Sequence, residues 1–327
     1  RHFTTASSLF LDLMESHPNL AVARIGYAVS QMALDHNAAA LEAVLEGRQR
    51  TPGVARLHEL LGDLMFRADR LEEALAAWRQ AQALEASARL TEKIDRGTRL
   101  LNASRVYRSS TSAHFVVRHD DKVDGSLAAQ VLKELEQAYD RVSRLLDHSA
   151  RQPITVVIHP EAQFRWVTSA PSWATGLFDG KIHLPMGGRQ RLDPVTRQVL
   201  VHELTHAMIH FKTHGHCPRW LQEGMAQILA GRKLGPAQQI LIQKQLDGLP
   251  AEDWESRGFS YPIALSLTRH LKTRWGFQGL VHLLDRLGRG DGIDAALRRI
   301  SGQDYRATCR EWAAGLHAPR HRQTTPA

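Results

Sequence analysis

Over the first ninety residues the apolar positions repeat in phase every 34 residues. Small residues stand at Ala6, Ala40 and Ala74, and bulky apolar ones follow four later at Phe10, Val44 and Trp78. Two further columns keep the register, at Leu13, Gly47 and Ala81 and at Pro18, Pro52 and Ala86. The spacing inside each copy is helical, so the pattern predicts an array of helical hairpins. In the copy from about Ala55 to Ala88, Gly62 and Ala74 let two helix backbones approach, and Trp78 fills the gap towards the next copy. A charged helix follows from Leu90 to about Arg105. The period then changes. The stretches 113–118 and 154–158 are rich in β-branched residues and read as strands, with a helix between them over 124–147 capped by Asp124. Gly176-Leu177-Phe178 and Lys181-Ile182-His183-Leu184 read as a hairpin turning at Asp179-Gly180. Beyond Asp193 only helical spacing remains, over 193–212, 219–231, 235–247, 261–275, 277–287, 291–300 and 303–316.

The repeating unit resembles the tetratricopeptide repeat, two helices packed through small residues at fixed points. Its first copy lacks a front helix, which leads one to expect that the natural chain extends upstream of Arg1. Arrays of this kind stack into a continuous core and offer a surface to a protein partner. The fold class expected is α+β: helical repeats and a linker helix over 1–105, a domain with a small mixed sheet and a helical C-terminal part over 106–317, and a disordered tail over 318–327.

Composition narrows the class further. The chain has 327 residues, 43% hydrophobic and 23% charged, enough for two globular domains with full cores. The formal net charge is +8, yet the basic residues are scattered, and no nucleic-acid-binding signature accompanies them, so no nucleic-acid partner is expected. No apolar run approaches the ~18–20 residues of a membrane span. Cys217 and Cys309 are too few and too far apart to build a metal site. A disulfide between them would suit an oxidising compartment and two thiols a cytosolic one; periplasmic or secreted is placed ahead of cytoplasmic.

The chemistry lies in Val201-His202-Glu203-Leu204-Thr205-His206, an H-E-x-x-H pattern inside a helix started by Asp193-Pro194. Residues four apart share a helix face one turn apart, so both imidazoles can reach one ion. Glu203 lies beside that face, where a carboxylate can take a proton from an attacking water. A third ligand is needed. His210 is ~12 Å of helical rise from His202, too far to share one ion. An H-E-x-x-H-x-x-G-x-x-H site would need Gly at 209 and His at 212, where the chain has Ile209 and Lys212. His214 and His216, in the loop after the helix, remain candidates. Glu223 is the stronger one, because the loop from Thr213 to Pro218 turns the chain back into a second helix that carries it. Such a site suits Zn2+, which takes imidazole and carboxylate and keeps one position open.

With Trp220-Leu221-Gln222-Glu223-Gly224-Met225-Ala226, the motif resembles the peptidase MA-like gluzincins, which pair H-E-[LF]-[TA]-H with W-L-x-E-G-[LM]-A and often follow tetratricopeptide repeats. The resemblance extends to the hairpin Gly176–Ile182 and to Ser260-Tyr261-Pro262, and covers about 110–315, with 1–90 for the repeats. It implies a zincin-like metallopeptidase acting on a peptide or protein, with His202, His206 and Glu223 as zinc ligands and Glu203 as base. Gln227 departs from it, since that position is often acidic in the family.

Two further roles are expected. Lys181–Pro185 would be the strand edge along which an extended substrate pairs, ended by Pro185 for want of an N–H. Tyr261 would donate to the developing oxyanion, with His183 and His216 as alternatives. One acid near that edge, Asp179, is too few for an aminopeptidase, which favours an endopeptidase. The competing reading is an interaction scaffold with a vestigial zincin domain.

Overall fold

The computed structural model describes residues 2–34, 36–104, 107–120, 125–161, 164, 168, 176–187, 189 and 191–317. The expected disordered tail over 318–327 and the Asp124 cap lie outside them. Contacts within the chain divide it into two compact units, Arg1–Gly215 and His216–Ala327.

The first unit begins with six helices, α1 (His2–Ser16), α2 (Ala21–Ala33), α3 (Asn37–Arg50), α4 (Ala55–Arg67), α5 (Leu71–Leu84) and α6 (Ala88–Ser104), each packed on the next. The period is visible in the elements, for α2 and α4 start 34 residues apart and so do α3 and α5. Small residues make the contacts close. A Cβ on Gly62 would stand 2.2 Å from Trp78 Cδ1, and one on Gly97 would stand 3.0 Å from Trp78 Cζ3. The indole thus lies on its own hairpin and on the following helix at once. Its N–H donates to Asp63 Oδ1 at 3.0 Å, which satisfies the polar edge of a side chain 3% exposed.

A five-stranded mixed sheet follows, β1 (Tyr107–Thr111), β2 (Phe115–Asp120), β3 (Ile154–Pro160), β4 (Leu177–Phe178) and β5 (Ile182–Gly187), in the order β1-β2-β3-β5-β4. The inner strands β2, β3 and β5 run parallel, and β1 and β4 are antiparallel edges. Helix α7 (Gly125–Leu146) crosses over between β2 and β3 and buries Leu127, Val131, Leu135, Ala138 and Val142, spaced as one helical face. Its Tyr139 stacks on His114, whose Nδ1 lies 2.7 Å from Glu136 Oε2. The unit ends with α8 (Pro194–Thr213), where Asp193 caps by accepting from Thr196 N at 2.7 Å and Pro194 stands in the first turn.

Two expectations for the sheet need correction. Pro185 does not end the pairing: it is registered with His159, and β5 runs on to Gly187. It is tolerated because β4 is registered only with Ile182 and His183, so no described strand flanks β5 at Pro185 on that side. The edge is therefore β4 where it covers Ile182 and His183, and β5 itself has no described strand on that side from Leu184 on. In addition, β1 is a strand that the sequence pattern does not predict.

The second unit contains α9 (Arg219–Leu229), α10 (Pro236–Leu246), a 3-10 turn (Ala251–Arg257), α11 (Tyr261–Gly288), α12 (Ile293–Ser301) and α13 (Tyr305–His317). Gly276, with φ 70 and ψ 178, breaks α11 at the point where two helices, 261–275 and 277–287, were expected to meet. The core is tied by buried aromatics with satisfied polar ends. Trp254 Nε1 donates to Tyr305 Oη at 2.9 Å, Trp220 stacks on the same Tyr305, and Trp312 Nε1 donates to Ser266 Oγ at 3.0 Å. Cys217 and Cys309 are both free thiols. Among the described residues no helix is long and apolar enough to cross a membrane.

Candidate metal centre

His202, Glu203 and His206 sit in the middle of α8, which is buried through Leu204, Thr205, Ala207, Met208 and Ile209. The helical step of four brings the two imidazoles onto one face, with His202 Nε2 and His206 Nε2 3.1 Å apart and the rings 82° to each other. Two ring nitrogens aimed at one point need a shared proton or a cation between them. Glu223 Oε completes a group in which each residue offers one ligand atom and all these atoms lie within 4.8 Å of one another; His202, His206 and Glu223 can hold a metal ion. Neither His214 nor His216 belongs to such a group among the described residues. His214 instead ends α8 in the left-handed conformation, φ 51.

Glu203 is 6% exposed and faces the hairpin. A Cβ on Gly176, the residue before β4, would lie 2.6 Å from Glu203 Oε1 and 2.7 Å from its Cγ. A side chain at residue 176 would force this carboxylate to shift. Phe178 of β4 in turn packs edge-on against the rings of His210 and Phe211 in the last turns of α8. The strand that ends at this phenylalanine is thereby tied to the helix that carries the H-E-x-x-H residues.

The expected alternative role of His183 does not hold. Its side chain is fully buried, with Nδ1 2.8 Å from His159 Nε2 and Nε2 3.1 Å from Asp179 Oδ1. His159 Nδ1 meets Tyr107 Oη at 2.9 Å. With Asp179 ionised, the neutral chain has one consistent proton order: Tyr107 donates to His159, His159 to His183, and His183 to Asp179. Burial, reinforced by the neighbouring His183, pushes His159 down to about 3, and burial with the nearby Lys181 and Arg96 does the same for His183. This relay was not legible in the sequence, because its members are spread over β1, β3, β5 and the hairpin turn.

In the second unit, Glu223 lies on α9 and Tyr261 in the first turn of α11, where Ser260 Oγ accepts from Ile263 N at 3.4 Å. Gln227 links them. Its amide nitrogen donates to Glu223 O at 3.2 Å and to Tyr261 O at 3.1 Å. Gly224 sets the approach of these helices, since a Cβ there would stand 1.9 Å from Thr268 Oγ1 and 2.5 Å from Ala264 O. Tyr261 is half-buried, its ring edge-on to Phe259.

No family model matches the chain, and no curated protein matches it.

Proposed function

We propose that this protein is a zinc-dependent metallopeptidase that cleaves peptide bonds within a chain. The observation that carries the reading is the grouping of His202, His206 and Glu223 with Glu203 on the same helix turn. Two imidazoles and one carboxylate are the donor set of a catalytic zinc site that keeps a coordination position for the reaction. Zinc held there would supply Lewis acidity for the water and the scissile carbonyl.

The chain supplies the rest. Glu203 takes the proton of the attacking water and delivers it to the leaving amine, and its buried setting beside Gly176 keeps it aimed. An extended substrate pairs with the β4 edge through main-chain hydrogen bonds, in line with that carboxylate. Tyr261 donates its hydroxyl proton in a hydrogen bond to the oxyanion. Cleavage within a chain is favoured over removal of a terminal residue because Asp179, the acid next to the edge strand, is taken by Arg96 and His183 and leaves nothing for a substrate amine.

The test is metal content and peptidase activity of the wild type beside Glu203→Gln. One zinc per chain in both, with activity only in the wild type, supports the reading. Zinc in both with no activity in either would favour a scaffold, and no zinc in the wild type would remove the metal site.

A further inference from the structure

The geometry points to Asp69, in the turn between α4 and α5 of the helical array, as a positioning residue for the β4–β5 hairpin and through it for the substrate edge. The role in substrate binding rests on the peptidase reading; the mechanical link does not.

Asp69 adopts the left-handed conformation, φ 61, which presents its carboxylate beyond the end of α4. Both of its oxygens are used outside the array. Lys181, in the hairpin, pairs with Oδ1, and Arg118, on β2, pairs with Oδ2. A second contact runs in parallel: Arg96 of α6 pairs with Asp179 on the other side of the hairpin turn. Between them lies the ring of Phe66, with Lys181 Nζ 4.8 Å and Arg96 Cζ 5.7 Å from its centre. The turn Asp179-Gly180-Lys181 is thus gripped by the array with charges of both signs.

Burial gives this grip its force. Lys181 is 2% exposed, so its ammonium depends on Asp69 for the stabilisation that water would otherwise supply. Without that carboxylate, the cheapest response is for the hairpin turn to move until Lys181 reaches solvent. The other end of the same hairpin, Gly176, lies close against the Glu203 side chain. Displacing the turn therefore loosens β4 while the groups of the metal centre stay in place. A substrate would then pair less well along β4 although every group in the metal centre is intact.

The test uses the full chain and the variants Asp69→Ala, Asp69→Asn and the double variant Asp69→Ala/Lys181→Met. Peptide KM and kcat, zinc content and hydrogen exchange of the backbone amides over 177–187 are measured for each. Asp69→Ala is expected to raise KM about ten-fold with kcat and zinc within about two-fold of wild type, since uniform binding is lost and the chemistry is not. Exchange over 177–187 should accelerate while that over 200–209 stays unchanged. Asp69→Asn, which keeps an acceptor without the charge, should fall between. The double variant removes the buried ammonium and leaves only the Arg118 guanidinium, 31% exposed, without its Asp69 partner, so it should return KM and exchange towards wild-type values. Wild-type KM and exchange in Asp69→Ala overturn the proposal, as does a defect that Lys181→Met leaves in place. If Asp69→Ala does not fold, the Asp69→Asn variant and the double variant decide it in the same way. If no variant cleaves peptide yet exchange changes and is restored as described, the positioning role stands and the peptidase reading falls.

Discussion

Replacing Gly176 with alanine should disable Glu203 without disturbing anything else. The added methyl would stand 2.6 Å from Oε1, 2.7 Å from Cγ and 2.8 Å from Cδ of Glu203. Non-bonded carbon contacts are comfortable at ~3.5 Å and above, so the carboxylate must withdraw by roughly 0.7–0.9 Å. The backbone raises no objection, because Gly176 is not among the positive-φ residues, and alanine there stiffens the unfolded chain by about 0.4–1 kcal/mol. Misplacing a reacting group by ~1 Å costs on the order of 10²-fold in rate, or about 2.7 kcal/mol of barrier. Initial rates on a fluorogenic peptide should therefore fall about 10²-fold in kcat, with zinc content retained and the melting temperature no lower than wild type. Gly53→Ala is the control, since nothing lies within 4 Å of its would-be Cβ. Full activity in Gly176→Ala would refute the claim that Glu203 works as the base from the position it holds beside the edge strand.

Tyr261→Phe should lower kcat about 10²-fold with KM and zinc content nearly unchanged, because the hydrogen bond forms only as charge develops; a purely structural tyrosine would instead show lower stability at full kcat. Gly224→Ala should destabilise the protein by about 1–3 kcal/mol in urea titrations, since the methyl collides with Thr268 and with the Ala264 carbonyl, and a neutral outcome would mean that α9 and α11 can part cheaply. Stability should also fall in acid. His159 and His183 are held neutral with folded pKa values near 3 against 6.5 in the unfolded chain, so unfolding takes up protons below pH 6.5. Their contribution is complete above pH 6.5 and is lost as pH falls towards 3, at up to about 1.4 kcal/mol per pH unit for each histidine. Melting temperatures of wild type and His159→Phe/His183→Leu that fall in parallel between pH 6.5 and 4 would show that the pair is not responsible.

The parts of this fold written in local patterns were legible, and those written in long-range pairing were not. The repeat spacing implies close packing at Gly62 and a Trp78 turned towards the next helix; a Cβ on Gly62 would stand 2.2 Å from Trp78 Cδ1, and one on Gly97 3.0 Å from Trp78 Cζ3. Asp193-Pro194 and Ser260 start α8 and α11 as capping residues should. By contrast, β1 reads Tyr-Arg-Ser-Ser-Thr, a polar edge strand with almost no apolar face to announce it. The turn around Trp254 was missed as well, because one buried indole on a seven-residue 3-10 segment leaves no period to detect. At the candidate metal centre, the three residues that can hold an ion followed from spacing and resemblance. The Tyr107–His159–His183–Asp179 relay did not, since its residues lie up to 76 positions apart and meet only through the sheet order.

Local geometry accounts for the glutamine at residue 227. A carboxylate there would face the carbonyl oxygens of Glu223 and Tyr261, which are acceptors, and an ionised carboxylate has no proton to give. The glutamine amide supplies two N–H donors, one for each carbonyl, and so binds the backbone of a candidate ligand to that of the candidate oxyanion donor. Gly224 lets α9 come close enough to α11 for the amide to span them. Glycine after the ligand and amide at 227 are then two parts of one packing solution. An acidic residue at 227 would need a cation or a different helix approach. The glycine is required by the distance between α9 and α11, whatever ion the site holds.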